Sequence, residues 1–153
     1  MSAAPVVFVD TSVLILSEDG ARPADQAQAL AWLRELWQRR AGRVSTQVLN
    51  DFYRLVTTRL QPAMPNGDAR AEVRRYQRWQ PWAIDHATVE SAWSIESRFG
   101  LAYMDALVVA AAKAQGCEWL LSLELAHGLQ LDSVQILNPL QAAPDALFAA
   151  GKA

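Results

Sequence analysis

The sequence has a single cysteine, Cys117, and only two histidines, His86 and His127. One cysteine cannot form an internal disulfide, and so small a supply of both residue types excludes a cysteine- or histidine-rich zinc site. No apolar stretch reaches membrane-spanning length without charges, and residues 1–5 lack the basic start of a signal peptide. With 153 residues, 52% of them hydrophobic, we expect a soluble, cytoplasmic domain with its own core.

Lysine is also scarce, because twelve of the fourteen basic residues are arginine. The net charge of −2 hides an uneven distribution along the chain. Residues 34–78 contain ten arginines and four acids, a net charge of +6, so the rest of the chain carries −8. The planar guanidinium of arginine suits phosphate groups. The segment is therefore a candidate surface for nucleic acid, although solvated helix faces explain the same pattern equally well.

Short apolar runs alternate with helical patterns along the whole chain. The predicted strands are 5–10, 43–45, 81–84, 118–121 and 134–137, and the predicted helices are 25–40, 46–60, 68–79, 87–99 and 102–115. This alternation predicts an α/β fold with a central parallel sheet and helices on both of its faces. We expect one domain over residues 1–140, followed by an alanine-rich tail, 141–153, that is ordered only in part.

Four acids stand where a chain built only for stability would not favour them. Asp10 directly follows a predicted buried strand, and Glu124 follows the end of another. Asp51 interrupts a helical pattern, and Asp105 lies in the most apolar helix. The carboxyl ends of parallel strands meet at one edge of a sheet, where active sites lie. Acids gathered there repel one another unless a cation compensates them, and Mg²⁺ and Mn²⁺ are the ions that prefer oxygen ligands.

Each acid also has an ordinary structural explanation. Capping of the following helix accounts for Asp10, and capping of the helix that begins near Tyr103 accounts for Asp105. Simple exposure to solvent accounts for Asp51 and Glu124. The four positions taken singly therefore leave both a metal site and a purely structural role open.

Taken together, the segments resemble the PIN-domain family, and within it the VapC-like toxins, from Val6 to Leu140. The matching pieces are Phe8-Val-Asp10-Thr-Ser12, Ser45-Thr-Gln-Val-Leu-Asn-Asp51-Phe-Tyr53, Leu101-Ala-Tyr-Met-Asp105-Ala-Leu107, Gly116-Cys117, Ser122-Leu-Glu124-Leu-Ala-His-Gly128 and Ile136-Leu-Asn-Pro139. Each piece alone is a weak motif. Their common order and spacing make the resemblance specific.

The resemblance implies a three-layer α/β/α sandwich and a ribonuclease that hydrolyses RNA phosphodiesters with Mg²⁺ or Mn²⁺. It also implies a toxin that forms a homodimer and is silenced by a cognate antitoxin. The family's catalytic and metal-binding acids carry over to Asp10, Asp51, Asp105 and Glu124. Thr11 or Ser12 supplies the hydroxyl beside the first acid, and Ser122 supports the fourth. In this interpretation, the RNA backbone is held by arginines of the basic segment, namely Arg74, Arg75 and Arg78.

Two of the acids depart from the family pattern, since Asp51 stands where glutamate is common and Glu124 where aspartate is common. Leu140 also replaces a frequent phenylalanine. The alternative of a nuclease-inactive PIN-like module that binds RNA or a protein therefore stays open. Phosphoaspartate enzymes fit less well, because the phosphatases need a second aspartate where Ser12 stands. Receiver domains need a lysine after a late strand, and the only lysines are at 113 and 152.

Overall fold

The structure is a computed structural model that describes residues 4–148; residues 1–3 and 149–153 lie outside the described part. Its elements are β1 (Val7–Val9), α1 (Thr11–Leu16), α2 (Pro23–Arg39), β2 (Gly42–Arg43), α3 (Thr46–Thr58), α4 (Asn66–Tyr76), α5 (His86–Phe99), α6 (Tyr103–Ala114), β3 (Trp119–Leu121), β4 (Gln130–Leu131) and β5 (Val134–Leu137). Two 3₁₀ turns cover Gln77–Trp79 and Pro144–Ala146.

The five strands form one sheet in the order β2-β1-β3-β5-β4. The pairs β1–β2, β1–β3 and β3–β5 are parallel, and only β4 pairs antiparallel, with β5. Val9, the last residue of β1, pairs with Leu121, the last residue of β3. The two strands thus end side by side, and the residues that follow them, Asp10 and Ser122, become neighbours.

The buried residues show which elements form the centre of the molecule. All three residues of β1 are fully buried, as expected for a central strand covered on both faces. In α6, every residue from 106 to 112 is buried, so this apolar helix is enclosed on nearly all sides. The predicted α/β fold, with helices flanking a mostly parallel sheet, is confirmed.

Two local predictions about strands are wrong. Residues 81–84 form no strand, and only a single bridge joins Trp82 to Ser45. The backbone of Trp82 bonds to Val44 and Thr46, and Asp85 begins the next helix by accepting a hydrogen bond from the Thr88 backbone N–H at 2.9 Å. Residues 81–84 are therefore a loop that runs beside the residues after β2 and leads into α5. The strand β4 was not predicted, because two residues carry no readable periodicity.

Helix bounds differ from the predictions by a few residues. Helix α4 begins at Asn66, two residues before the predicted start, without a side-chain cap. Its predicted end is a 3₁₀ turn, which separates Arg78 from the helix. The tail packs against the domain as far as Phe148, which is buried, and the Trp32 indole donates to the Ala142 carbonyl at 2.8 Å.

None of the helices within residues 4–148 combines the length and apolar character needed to cross a membrane.

Candidate active site

The four acids singled out in the sequence all line one pocket of about 170 Å³. Asp10 follows β1, Asp51 lies within α3, Asp105 lies in the first turn of α6, and Glu124 lies in the loop after β3. The other lining residues are Thr11, Ser12, Ile15, Gln47, Leu55, Met104 and Val108. We call this cavity the acid pocket. The fold thus brings together carboxylates that are up to 114 positions apart in the sequence.

Asp10 is the most enclosed of these acids, with only 6% of its surface exposed. Its Oδ1 accepts a hydrogen bond from the Thr11 backbone N–H at 2.8 Å, and its Oδ2 accepts one from the Ser122 hydroxyl at 2.9 Å. Burial raises the pKa of Asp10 to about 6, and the negative charges of Asp105 and Glu124 add to the rise. The hydrogen bonds from Ser122 and Thr11 act in the opposite direction. Asp10 therefore caps α1 and faces the acid pocket with the same carboxylate.

The hydrogen bonds of Ser122 determine that its hydroxyl is the donor to Asp10. It is fully buried, and its Oγ accepts hydrogen bonds from the backbone N–H groups of Glu124 and Leu125, both at 3.1 Å. A serine hydroxyl has two acceptor positions and one proton. Because both acceptor positions are used, the proton is left for Asp10. The bond thus requires an acceptor at Asp10 Oδ2 and favours the ionised carboxylate.

The other three acids are more accessible than Asp10. Helix α6 has Ala102 as its N-cap and no side-chain cap, so the capping explanation of Asp105 is wrong. Burial raises the pKa of Asp105, and the charge of Glu124 raises it further. Asp51 Oδ1 lies 3.8 Å from Nη2 of Arg54, a long and partly exposed ion pair of little energetic value. Asp51 and Glu124 are thus both partly solvated, as the simpler explanation expected, and both also face the acid pocket.

The two hydroxyl residues after Asp10 tie neighbouring segments to the pocket wall. Ser12 Oγ accepts a hydrogen bond from the Leu123 backbone N–H at 3.1 Å, which joins the start of α1 to the loop after β3. Thr11 Oγ1 makes a long contact of 3.5 Å with the Val48 carbonyl in α3. These contacts hold together the segments that carry Asp10, Glu124 and Asp51.

Gln47 is a polar pocket residue that the sequence analysis missed. Its Nε2 donates to the Met104 carbonyl at 3.1 Å, and its Oε1 is buried without a hydrogen-bond partner among residues 4–148. A signal for it exists, because Gln47 precedes Asp51 by four positions and so lies on the same face of α3. The wall of the acid pocket therefore contains a buried amide oxygen without a hydrogen-bond partner among the described residues.

The donor chemistry of the acid pocket fits a hard divalent cation, since carboxylate and amide oxygens are the ligands that Mg²⁺ and Mn²⁺ prefer. Burial is the main cause of the raised pKa values of Asp10 and Asp105, and the neighbouring carboxylates raise them further, a repulsion that a bound cation would offset. Across residues 4–148, however, no three His, Cys, Asp or Glu side chains converge closely enough to form a ligand cluster. The carboxylates line one pocket but do not surround a single metal-binding position.

The three arginines predicted to hold RNA do not line the acid pocket. Arg75 is bound to Glu72 at 2.8 Å and stacks over the rings of Trp37 and Tyr76. Arg78 lines a separate pocket, and Arg74 is exposed. Arg54 Nη2 lies 3.8 Å from Asp51 Oδ1, and Arg59 lines a groove of about 430 Å³ that has Ile15 and Leu55 in common with the acid pocket.

The chain matches the PIN domain family over residues 7–127, a stretch that includes all four acids. It belongs to the PIN-domain family, and the resemblance in the sequence is confirmed.

Among solved structures, the chain is similar to the toxin VapC20 of Mycobacterium tuberculosis, which is described as cleaving the sarcin–ricin loop. The two are 21% identical, with a TM-score of 0.57, and the match covers 74% of this chain and 86% of the VapC20 chain. At this level of identity the likeness shows a shared fold. No curated protein matches the sequence significantly.

Proposed function

We propose that this protein is a divalent-metal-dependent ribonuclease and the toxin of a toxin–antitoxin pair. The observation that carries the proposal is the acid pocket, in which Asp10, Asp51, Asp105 and Glu124 meet beside the carboxyl ends of β1 and β3. Membership of the PIN-domain family and a fold shared with a toxin described as cleaving the sarcin–ricin loop support RNA as the substrate class.

In this proposal, Asp10 and Asp105 are the principal ligands of Mg²⁺ or Mn²⁺. Asp51 and Glu124 add further negative charge that attracts the cation. When bound, the cation would neutralise charge on the scissile phosphate and acidify a water molecule. The protein's own contribution is to keep Asp10 ionised and oriented. Its pKa of about 6 leaves it charged at neutral pH, and the bonds from Ser122 and Thr11 fix both of its oxygens.

The partners belong to the same proposal. The groove lined by Ile15, Leu55 and Arg59 continues from the acid pocket. Its apolar wall offers a contact surface for the cognate antitoxin. Trp93 and Phe99 on α5 expose 54% and 36% of their surfaces, and they offer an apolar contact for the proposed homodimer. A cytoplasmic location follows from this function and is proposed with it.

A cleavage assay tests the proposed activity. The purified protein, incubated with end-labelled RNA, is expected to cut it in Mg²⁺ or Mn²⁺, to lose activity in excess chelator and to recover when the metal is restored. Binding of RNA without cleavage under every metal condition would instead support the nuclease-inactive alternative. The observation that favours this alternative is that, among residues 4–148, the carboxylates do not form a ligand cluster.

The changed acid lengths at positions 51 and 124 predict compensation. If the two carboxylates act at one site, the shorter side chain at position 51 and the longer one at position 124 together keep the distance across the pocket. Asp51→Glu alone and Glu124→Asp alone should each lower the cleavage rate roughly tenfold, while the double variant recovers most of it, because Mg²⁺ tolerates little error in ligand position. Steady-state kinetics of the four proteins measure this coupling. Additive losses would show that the acids act separately.

We also propose that Arg74, Arg75 and Arg78 contribute to RNA binding, with Arg59 contacting the strand nearer the acid pocket. Replacing the first three with alanine should weaken RNA binding and reduce the slope of log affinity against log salt by about 2 to 3, since each phosphate contact contributes about 0.7 to 0.9. Arg59→Gln should raise KM with little change in kcat. Binding isotherms at several salt concentrations check the first expectation. An unchanged slope would assign the basic helix α4 to another role.

A further inference from the structure

A second pocket, of about 490 Å³, lies apart from the acid pocket. Its walls are Trp37, Arg40, Arg43, Arg78, Trp79 and Gln80, so it shares no residue with the acid pocket. We call it the arginine pocket. Gly42, at one side, pairs with Val7 at the start of β1, whereas Asp10 follows the end of that strand. The two pockets therefore lie toward opposite ends of β1.

The positive charge of the arginine pocket has no acidic counterpart in its walls. None of the six lining residues is acidic. Among residues 4–148, Arg40, Arg43 and Arg78 take part in no ion pair, whereas Arg22, Arg39, Arg75 and Arg98 each have a carboxylate within 2.8 Å. Arg43 is held by bonds to the carbonyls of Arg40 and Gly42, which fix its position without neutralising it. Three arginines that line one pocket without an acidic neighbour favour an anionic ligand.

Two residues of the pocket wall carry buried hydrogen-bonding groups that have no partner within residues 4–148. The structure describes four buried side-chain atoms without a partner, and two of them are the indole Nε1 atoms of Trp37 and Trp79. A third is Oε1 of Gln115, whose Nε2 bonds to the carbonyl of Gln80 in the pocket wall. Trp79 is only 3% exposed. An indole N–H can only donate, and a buried donor without an acceptor is costly. Two of the rings in the pocket wall therefore each carry a buried donor without a partner among the described residues.

Tight packing holds the aromatic wall in position. A Cβ atom at Gly42 would lie 2.6 Å from Cη2 of Trp79, so only glycine allows the indole to approach the β2 backbone so closely. The Trp37 and Trp79 rings pack against each other with centroids 4.9 Å apart. The pocket is thus a formed cavity with rigid aromatic rings beside three guanidinium groups.

We propose that the arginine pocket binds the phosphate group of a nucleotide, either free or within an RNA strand. Guanidinium groups bind phosphate oxygens through paired hydrogen bonds. The volume lies in the range of small-molecule sites. The site is independent of the acids, so it holds its ligand without a divalent cation and without cleavage.

Titration of the protein with 5′-AMP, in excess chelator, tests this assignment. In a proton–nitrogen correlation spectrum, the indole signals of Trp37 and Trp79 should move, because both rings line the pocket that the phosphate would occupy. Those of Trp32 and Trp82 should stay in place, because they already donate to the Ala142 carbonyl and to Thr88 Oγ1. A parallel titration with a short RNA oligonucleotide separates the two sources. Movement with both ligands means that a free nucleotide suffices, and movement with the oligonucleotide alone assigns the site to RNA.

Paired substitutions provide the control. Arg40→Gln with Arg78→Gln should weaken binding of the effective ligand at least about tenfold, since bonds to charged groups account for that much affinity. Arg34→Gln with Arg70→Gln removes the same charge from two exposed arginines that lie outside the pocket and should change binding less than about twofold. The melting temperature of each variant verifies its fold. Stationary indole signals with both ligands, or equal losses in the two variants, would overturn the proposal. Either result leaves the proposed cleavage at the acid pocket untouched, because the titrations contain chelator and measure binding alone.

Discussion

Replacing Asp105 with asparagine is expected to lower RNA cleavage by about a thousandfold or more while the fold is kept. The estimate follows because a catalytic cation contributes several kcal/mol to the transition state and Asp105 is one of its two principal proposed ligands. The substitution is well tolerated on structural grounds. Asp105 lies in the first turn of α6, caps nothing and makes no side-chain hydrogen bond that the structure describes.

The stability of the same variant provides the control. The folded pKa of Asp105 is raised above its ordinary value of 3.8, so its ionised form disfavours the fold. The protonated Asp105 carboxyl therefore stabilises the fold fully below pH 3.8, and this stabilisation is lost as the pH rises through the folded pKa. In chelator, Asp105→Asn should therefore melt higher than the wild type at pH 8, and the difference should vanish near pH 3.5. Full cleavage activity in a folded variant would remove Asp105 from the site.

Asp10→Asn should abolish cleavage too, but its stability has a different physical basis. The neutral amide escapes the penalty of a buried charge, since the pKa of Asp10 is raised to about 6. An amide N–H placed at Oδ2, however, would face Ser122 Oγ, whose two acceptor positions already serve Glu124 and Leu125. The two effects oppose each other, which makes Asp105→Asn the clearer variant for separating activity from folding.

Ser122→Ala is expected to have the largest effect of any substitution outside the four acids, a loss of cleavage of roughly 10- to 100-fold, the range typical of residues that orient metal ligands. The hydroxyl donates to Asp10 and lowers its pKa, so its removal should raise that pKa above about 6. Carbon-13 NMR of the Asp10 carboxyl in chelator measures the shift directly. Below the raised pKa the variant protonates Asp10, and its cleavage should fall off at a higher pH than that of the wild type.

Ser45→Ala is the matched control for Ser122→Ala. Ser45 is also fully buried, and its hydroxyl accepts from the Val48 backbone N–H as the N-cap of α3. Loss of that cap should cost about 1 kcal/mol of stability, comparable with the loss of the Ser122 hydroxyl. It should leave the Asp10 titration unchanged. Equal shifts of the Asp10 pKa in both variants would mean that Ser122 acts only through general stability.

Much of this architecture could be read from the sequence because the signals are local. The apolar run before Asp10 and the apolar helix around Asp105 each have a period or length that fits one element. The order of strands and helices then places Asp10 and Glu124 at the same sheet edge. The resemblance to the PIN-domain family added Asp51, which lies on a helix and which the strand order alone would not have placed there.

The features that could not be predicted depend on tertiary contacts. The 81–84 segment has the composition of a strand, but its backbone bonds only to residues 44–46 and its end caps α5. The two acceptor bonds of Ser122 arise from the loop after β3, which has no sequence period. The basic helix pattern suggested one surface for Arg74, Arg75 and Arg78. The 3₁₀ turn after α4 instead directs Arg78 to the arginine pocket.

Calorimetric titration with Mn²⁺ tests the central claim most directly, because it asks whether the acid pocket binds a divalent cation at all. The wild type should bind Mn²⁺ with a heat that disappears in Asp105→Asn. Asp145→Asn removes an exposed carboxylate outside the acid pocket and should bind as the wild type does. Undiminished Mn²⁺ binding by the folded Asp105→Asn variant, or no binding by the wild type, would contradict the account.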